Sequence, residues 1–288
     1  MEIKPQHTLL IVPPNDEEAY LIAELAERKG YQVYRSTQPH GARLEREPAL
    51  LEQVERSGAS QIIIVEMPGP PMEERIRAMG KHLVIIDHHN YTDLDRAHHS
   101  KTGDPLPSSL EQFLSYADIT DEWLLHWKYD PKMVRAIGLW DAGYIWALID
   151  AGFSKQEIEI FLAYKDELAR SVGSSEIQPR NQLAARRAFE EREAFGSYTV
   201  MVGHDPVAHI RSSVSRLMAM EYWKPMPAII SERAGERLYV QETDQALNLF
   251  HRFGGFTFGT DRNWGYDNTI EATRVTLSDT KAFLEPYV

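Results

Sequence analysis

The first ninety residues alternate short apolar runs with amphipathic stretches, a pattern that builds strand and helix units into a parallel sheet and leaves few other folds open. Strands are expected over 8–12, 32–35, 61–65 and 83–86, the last two rich in Ile and Val, as strands covered on both faces are. A helix over about 16–29 should close at Gly30, a preferred helix-ending residue. From about 108 to 193 the pattern is mostly helical, with a long apolar-periodic stretch over 131–151 and a further helix from Ser154, a good N-cap, to about Arg170. The aromatic residues from Trp123 to Trp146 read as core. A boundary is expected near Gly196, giving an α/β domain over 1–195 with a helical connector and a smaller α+β domain over 196–288. In the second domain the pattern gives strands at 198–202, 228–231, 238–241 and 273–277, and helices at about 207–220 and 244–252.

With 288 residues and 43% hydrophobic content the chain can fill a sizeable core, yet no apolar run approaches the length needed to cross a bilayer. The opening residues lack the apolar length and small-residue cleavage site of a secretory signal, and the absence of cysteine suits a reducing compartment, so the chain reads as cytoplasmic. Without thiolates, any metal must be held by His and carboxylate. A net charge of -12 argues against broad duplex DNA binding, which needs many Lys and Arg contacts to phosphate. A small anionic substrate stays open, because acidic side chains loaded with cations form a local positive site.

In an open parallel sheet, ligands bind beyond the carboxyl ends of the strands. Here those positions carry chemistry: the first strand runs into Asp16-Glu17-Glu18, the third into Glu66 and the fourth into Asp87-His88-His89. Hard divalent ions take oxygen ligands, and Mn²⁺ or Fe²⁺ also accept imidazole. Such ions can clamp a phosphate ester and activate a bound water. Asp16 equally suits the N-cap of the first helix, with Glu17 and Glu18 at its positive end. Glu66 also reads as a solvated loop acid ahead of Pro68.

The run Val84 to Asn90, VIIDHHN, resembles the signature of the DHH phosphoesterases, a family that includes single-strand exonucleases, nano-oligonucleotide and cyclic-dinucleotide phosphodiesterases and manganese pyrophosphatases. The resemblance implies a parallel-sheet domain with a dinuclear Mn²⁺ site, a helical connection and a smaller C-terminal domain that grips substrate. It implies metal ligands at Asp16, Glu18, Glu66, His88 and Asp141, with Glu66 bridging, a phosphate contact from His89 and an orienting role for Asp87. The family's leading His falls near Val12, and two of its Asp positions hold Glu18 and Glu66. In the C-terminal domain the family's Gly-Gly-His run is matched by Gly254-Gly255-Phe256, leaving Gly254, Gly255, Arg252 and Arg262, with His251 and Trp264, as candidate substrate contacts. The two glycines read equally well as a helix-ending turn. His7, His40, His98 and His99 are candidates for the missing imidazole, although His98 and His99 lie in a polar loop and read as exposed bystanders.

The function implied is a divalent-metal-dependent phosphodiesterase acting on short oligonucleotides or on linear or cyclic dinucleotides, with one or two Mn²⁺ ions or else Mg²⁺ or Fe²⁺. Its partner is then a short nucleic acid or nucleotide, with no membrane involved and a homodimer allowed for. Two other readings stay open: a degenerate family member that binds a nucleotide or partner without hydrolysis, and an unrelated α/β protein holding one metal or none.

Overall fold

A computed structural model describes residues 5–91, 93–171, 173, 179–259 and 262–287. The chain divides into two compact units, Met1–Gly173 and Ser174–Val288.

The first unit runs β1 (Thr8–Val12), α1 (Glu17–Lys29), β2 (Gln32–Arg35), α2 (Leu50–Arg56), β3 (Gln61–Val65), α3 (Pro70–Ala78) and β4 (His82–Ile86). A small hairpin, β5 (Asn90–Tyr91) and β6 (Leu94–Asp95), follows, and then α4 (Ser109–Tyr116), α5 (Asp121–His126), α6 (Pro131–Asp150) and α7 (Lys155–Ser171). The sheet order is β2-β1-β3-β4, and every pairing is parallel. Leu9, Ile11, Ile62 and Ile64 pack with Leu50, Val54 and Ile76 on one face. By strand alternation Leu10, Val12, Ile63 and Val65 point to the other face, where they too are fully buried. Each such aliphatic side chain contributes about 1.5–3 kcal/mol relative to exposure, so the strand tips stand on a stiff base. The order reverses between β1 and β3, and that reversal opens a crevice at their carboxyl ends.

The second unit runs α8 (Pro179–Glu190), β7 (Glu193–Phe195), β8 (Tyr198–Val202), α9 (Arg211–Tyr222), β9 (Ala228–Glu232) and β10 (Arg237–Gln241). It closes with α10 (Ala246–Phe253), β11 (Phe256–Phe258), β12 (Asn263–Asp267) and α11 (Leu277–Leu284). Its sheet order is β11-β12-β10-β9-β8-β7, antiparallel except for the parallel β8–β9 pair bridged by α9. One face packs residues of α8 and α9, including Ala185, Val214 and Met218; the other packs Leu249, Trp264 and Leu284.

Several sequence expectations need correction. The division falls at 173/174 and not near Gly196, because Ala185, Ala188 and Phe189 of α8 bury into the second unit's core. Residues 174–178, inside the expected helical run, lie outside the described residues. The expected strand at 273–277 does not form: Thr276 and Asp279 make a reciprocal capping box that starts α11 at Leu277. The strand is β12 instead, whose Asn, Gly and Asp content hides it, although Trp264 and Tyr266 within it are fully buried. The helix expected from 207 begins at Arg211. The long apolar stretch is broken inside α6 at Gly143 and Tyr144, where Tyr144 takes φ 59° and ψ -155°. The aromatics of this region are half-buried and not core, Trp123 being 42% exposed beneath Lys29.

Candidate metal centre

The rim of the first sheet gathers its polar side chains through local backbone choices. Asp16 caps α1, its Oδ1 accepting from the Ala19 N–H at 2.8 Å, which fixes Glu18 in the first turn. Glu18 is 1% exposed, and its Oε1 accepts from the Leu110 N–H at 2.9 Å, so the start of α4 is held against α1. Glu66 follows β3 in the left-handed region, φ 50°, a strained conformation for a residue with a Cβ and one that concentrates at functional sites. Gly138 lets α6 approach: a Cβ there would stand 2.2 Å from Ser108 Oγ and 3.4 Å from Glu18 Oε1. One turn later α6 presents Asp141, just ahead of the break at Gly143.

Ligand atoms of Glu66, His88, His89 and Asp141 all lie within 4.8 Å of one another. His88 Nε2 is 2.9 Å from Asp141 Oδ2, while its Nδ1 accepts from the Ser109 N–H at 3.1 Å. His89 Nδ1 is 3.0 Å from Asp87 Oδ1 and 3.9 Å from Glu66 Oε1. Asp87 is buried and also accepts from the His89 N–H and from the Tyr91 hydroxyl, each at 3.0 Å, so it sets the orientation of the His89 ring.

The electrostatics record crowding of negative charge. Burial, then repulsion from Glu66 and Asp141, pushes the Asp16 carboxyl well above the usual range; burial, then repulsion from Asp141 and Glu66, does the same to Glu18. Burial and the Asp141 charge raise Glu66. Burial also acts on Asp141, but the His88 hydrogen bond and the neighbouring imidazoles of His88 and His89 outweigh it and hold this carboxyl low. Burial opposes the charged form of His89, yet the Asp87 hydrogen bond and the charges of Glu66, Asp87 and Asp141 raise it to about 9.

Two buried carboxylate oxygens, Glu18 Oε2 and Glu66 Oε1, have no hydrogen-bond partner among the described residues, and the nearest cationic group to Glu66 Oε1, His89 Nδ1, stands beyond hydrogen-bond reach at 3.9 Å. Buried oxygens of this kind are costly unless a cation meets them. The donor set of imidazole and carboxylate is that of a Mn²⁺, Fe²⁺ or Zn²⁺ site, so the residues fit a divalent ion.

Of the sequence candidates, the structure brings Glu66, His88 and Asp141 together and adds His89 as a fourth potential ligand. Asp16 and Glu18 stand close enough to exchange charge repulsion with Glu66 and Asp141. Val12 is fully buried and offers nothing. Among the four candidate replacement histidines, His40 stands with Nδ1 4.0 Å from Asp16 Oδ2, whereas His98 pairs with Asp95 at 2.8 Å and His99 contacts Thr102 at 3.2 Å. In the second unit Gly254 ends α10 at φ 83°. A Cβ on Gly255 would stand 2.3 Å from the Gly265 carbonyl oxygen, so backbone geometry by itself accounts for both glycines. Arg262 pairs with Asp244 at 3.1 Å, and Arg252 lies over the Phe253 ring. Nothing in the residue pattern signals the break beside Asp141, nor the part played by Tyr91, whose hydroxyl is pushed up by burial and the Asp87 charge.

No family model matches the chain, and no curated protein does. Among solved structures it is similar to an exonuclease RecJ bound to manganese, at 14% identity over 93% of this chain and 91% of that one, with a TM-score of 0.43. It is also similar to a DHH domain from a member of a family of ribosomal proteins, at 15% identity over 84% of this chain and 74% of that one, TM-score 0.43. At this level of likeness no activity passes from those proteins to this one. The parallel sheet, the helices that follow it and the smaller α+β unit are themselves elements of the architecture that the DHH resemblance implies.

Proposed function

We propose that this chain is a divergent DHH phosphoesterase that hydrolyses short oligonucleotides or linear or cyclic dinucleotides in the cytoplasm with Mn²⁺ as its ion. The observation that carries the reading is the convergence of Glu66, His88, His89 and Asp141 within 4.8 Å at the carboxyl edge of a parallel sheet, beside buried carboxylate oxygens without partners among the described residues. A bound divalent ion there supplies charge neutralisation and an activated water. Glu66, His88 and Asp141 would hold it, with Asp16 and Glu18 flanking. Asp87 fixes the His89 ring through Nδ1 and keeps it cationic near neutral pH, which leaves Nε2 to donate to a phosphate oxygen.

The test combines metal analysis with a substrate panel. Protein purified in Mn²⁺ should carry bound metal and cleave at least one dinucleotide, cyclic dinucleotide or short oligonucleotide; His88→Ala and Glu66→Gln should lose turnover, since uncatalysed phosphate-ester hydrolysis is negligible. Folded, metal-loaded wild type that cleaves nothing on the panel would end the catalytic reading.

A second reading, binding without hydrolysis, is favoured by one observation. Metal-bound histidines generally donate from their second nitrogen. His88 Nδ1 instead accepts from Ser109, which places its proton on Nε2, facing Asp141. With valine at position 12, that arrangement suits a site that has lost part of its metal set. A nucleotide that raises the melting temperature without being cleaved would support this alternative.

A further inference from the structure

The second unit repeats in small form the arrangement that makes parallel sheets bind ligands. β8 and β9 are parallel, α9 crosses between them, and at their carboxyl ends lies a cavity of about 330 Å³. Its lining includes Arg211, Arg237, His209, Ser212 and Ser213, together with the acid Glu232. In a chain with 43 acidic against 31 basic residues, such a gathering of cations and hydroxyls does not follow from composition.

Glu232 tempers this character, its charge reaching Arg237 and Tyr239, but its oxygens are directed at the start of α9. It is 1% exposed, and its carboxylate is taken up by the start of α9: Oε2 accepts from the Ile210 N–H at 2.7 Å and the Arg211 N–H at 3.0 Å, and Oε1 is 3.2 Å from His209 Nδ1. Arg237 gives its Nε to Asp267 at 2.8 Å and lies beside the Tyr239 hydroxyl, which places its guanidinium at the cavity wall. The Arg211 guanidinium is held by aromatic surfaces, 5.5 Å from the Tyr239 ring centroid and 5.3 Å from that of Phe258, with Nη2 contacting Ser212 Oγ at 3.2 Å. A guanidinium positioned in this way has lost its conformational freedom before any ligand arrives, and its planar fork matches the oxygens of a phosphate.

We infer that this cavity, lined by residues of the second unit, is a phosphate-binding site with Arg211 and Arg237 as its cationic contacts and the Ser213 hydroxyl as a neutral donor. The ligand class is inorganic phosphate or the terminal phosphate of a small phosphomonoester. The inference stands whether or not the first unit hydrolyses anything.

The test uses the full chain in chelator, so that the metal cluster cannot hold phosphate through an ion. Inorganic phosphate, titrated against chloride at matched ionic strength, should raise the melting temperature of wild type and give a saturable isotherm by calorimetry. Arg211→Gln should weaken that binding at least tenfold while leaving the phosphate-free melting temperature close to wild type. Should Arg211→Gln fail to fold, Ser213→Asp, which puts a carboxylate into the cavity, should likewise abolish the phosphate shift. His88→Ala should bind phosphate as wild type does. The inference is overturned by wild type showing no shift beyond chloride, by unchanged affinity in Arg211→Gln and Ser213→Asp, or by loss of binding in His88→Ala.

Discussion

Replacing Glu66 by Gln should stabilise the metal-free protein and at the same time remove its response to metal. Glu66 is almost wholly buried, with a side-chain exposure of 8%, and stands within 4.8 Å of the Asp141 ligand atom. At an effective dielectric constant of about 20, repulsion between charges at that distance is about 3 kcal/mol, and attraction to a cationic His89 at 3.9 Å is about 4 kcal/mol, so the two nearly cancel. What remains is the cost of burying the charge and the repulsion it exchanges with Asp16 and Glu18, and the raised carboxyl of Glu66 shows that this remainder is unfavourable. Neutralising the side chain at nearly constant volume should therefore stabilise the chelated protein by an amount on the order of 1 kcal/mol, a rise of roughly 2–4 °C for a unit of this size. Wild type should gain about 2.7 kcal/mol more when Mn²⁺ is supplied at a hundred times its dissociation constant, and the variant should gain far less. Thermal melts of both proteins at pH 7.5, with chelator and with Mn²⁺, measure the two effects together. A chelated variant that melts below wild type, or a variant that keeps the full Mn²⁺ shift, would show that Glu66 is a structural acid and not a ligand.

Gly138→Ala should cost about 1 kcal/mol net in urea melts, because overpacking against Ser108 Oγ at 2.2 Å, typically about 1–3 kcal/mol, exceeds the roughly 1 kcal/mol gained in helix propensity. A stabilised variant would mean that α6 does not press on the start of α4. Asp267 accepts from the Thr269 N–H at 2.9 Å and from Arg237 Nε at 2.8 Å; burial acts to raise its carboxyl, but these partners hold it low. A depressed carboxyl contributes stability that is present above its unfolded value of about 3.9 and is lost as pH falls through the lower folded value. Asp267→Asn should thus be destabilised by about 1–2 kcal/mol at pH 6, and the gap to wild type should close as the pH is taken below about 4. A gap that does not change between pH 6 and pH 3 would refute the assignment.

The four strands of the first sheet and their chemically loaded ends are legible in the residue order, because runs such as QIIIV and HLVII have few ways to be buried other than as covered parallel strands. The first helix from Asp16 to Gly30 is legible too, since a capping carboxylate and a left-handed glycine are local devices that need no partner. Strand ends and the DHH run likewise mark Glu66 and His88 as candidates, while Asp141, inside a helix, and the gap at Val12 come only from the family resemblance. The remaining features depend on contacts between distant segments. Whether Asp16 is a cap or a ligand-shell acid depends on its distance from Glu66 and Asp141, which are far away in sequence. β12 is a strand because Trp264 and Tyr266 find a core, in spite of the Asn, Gly and Asp around them. α8 belongs to the second unit because Phe189 and Ala185 bury there, a matter of packing that its charged surface pattern conceals. The proton arrangement of His88 turns on a backbone N–H twenty-one positions along the chain, a contact that only the folded chain creates.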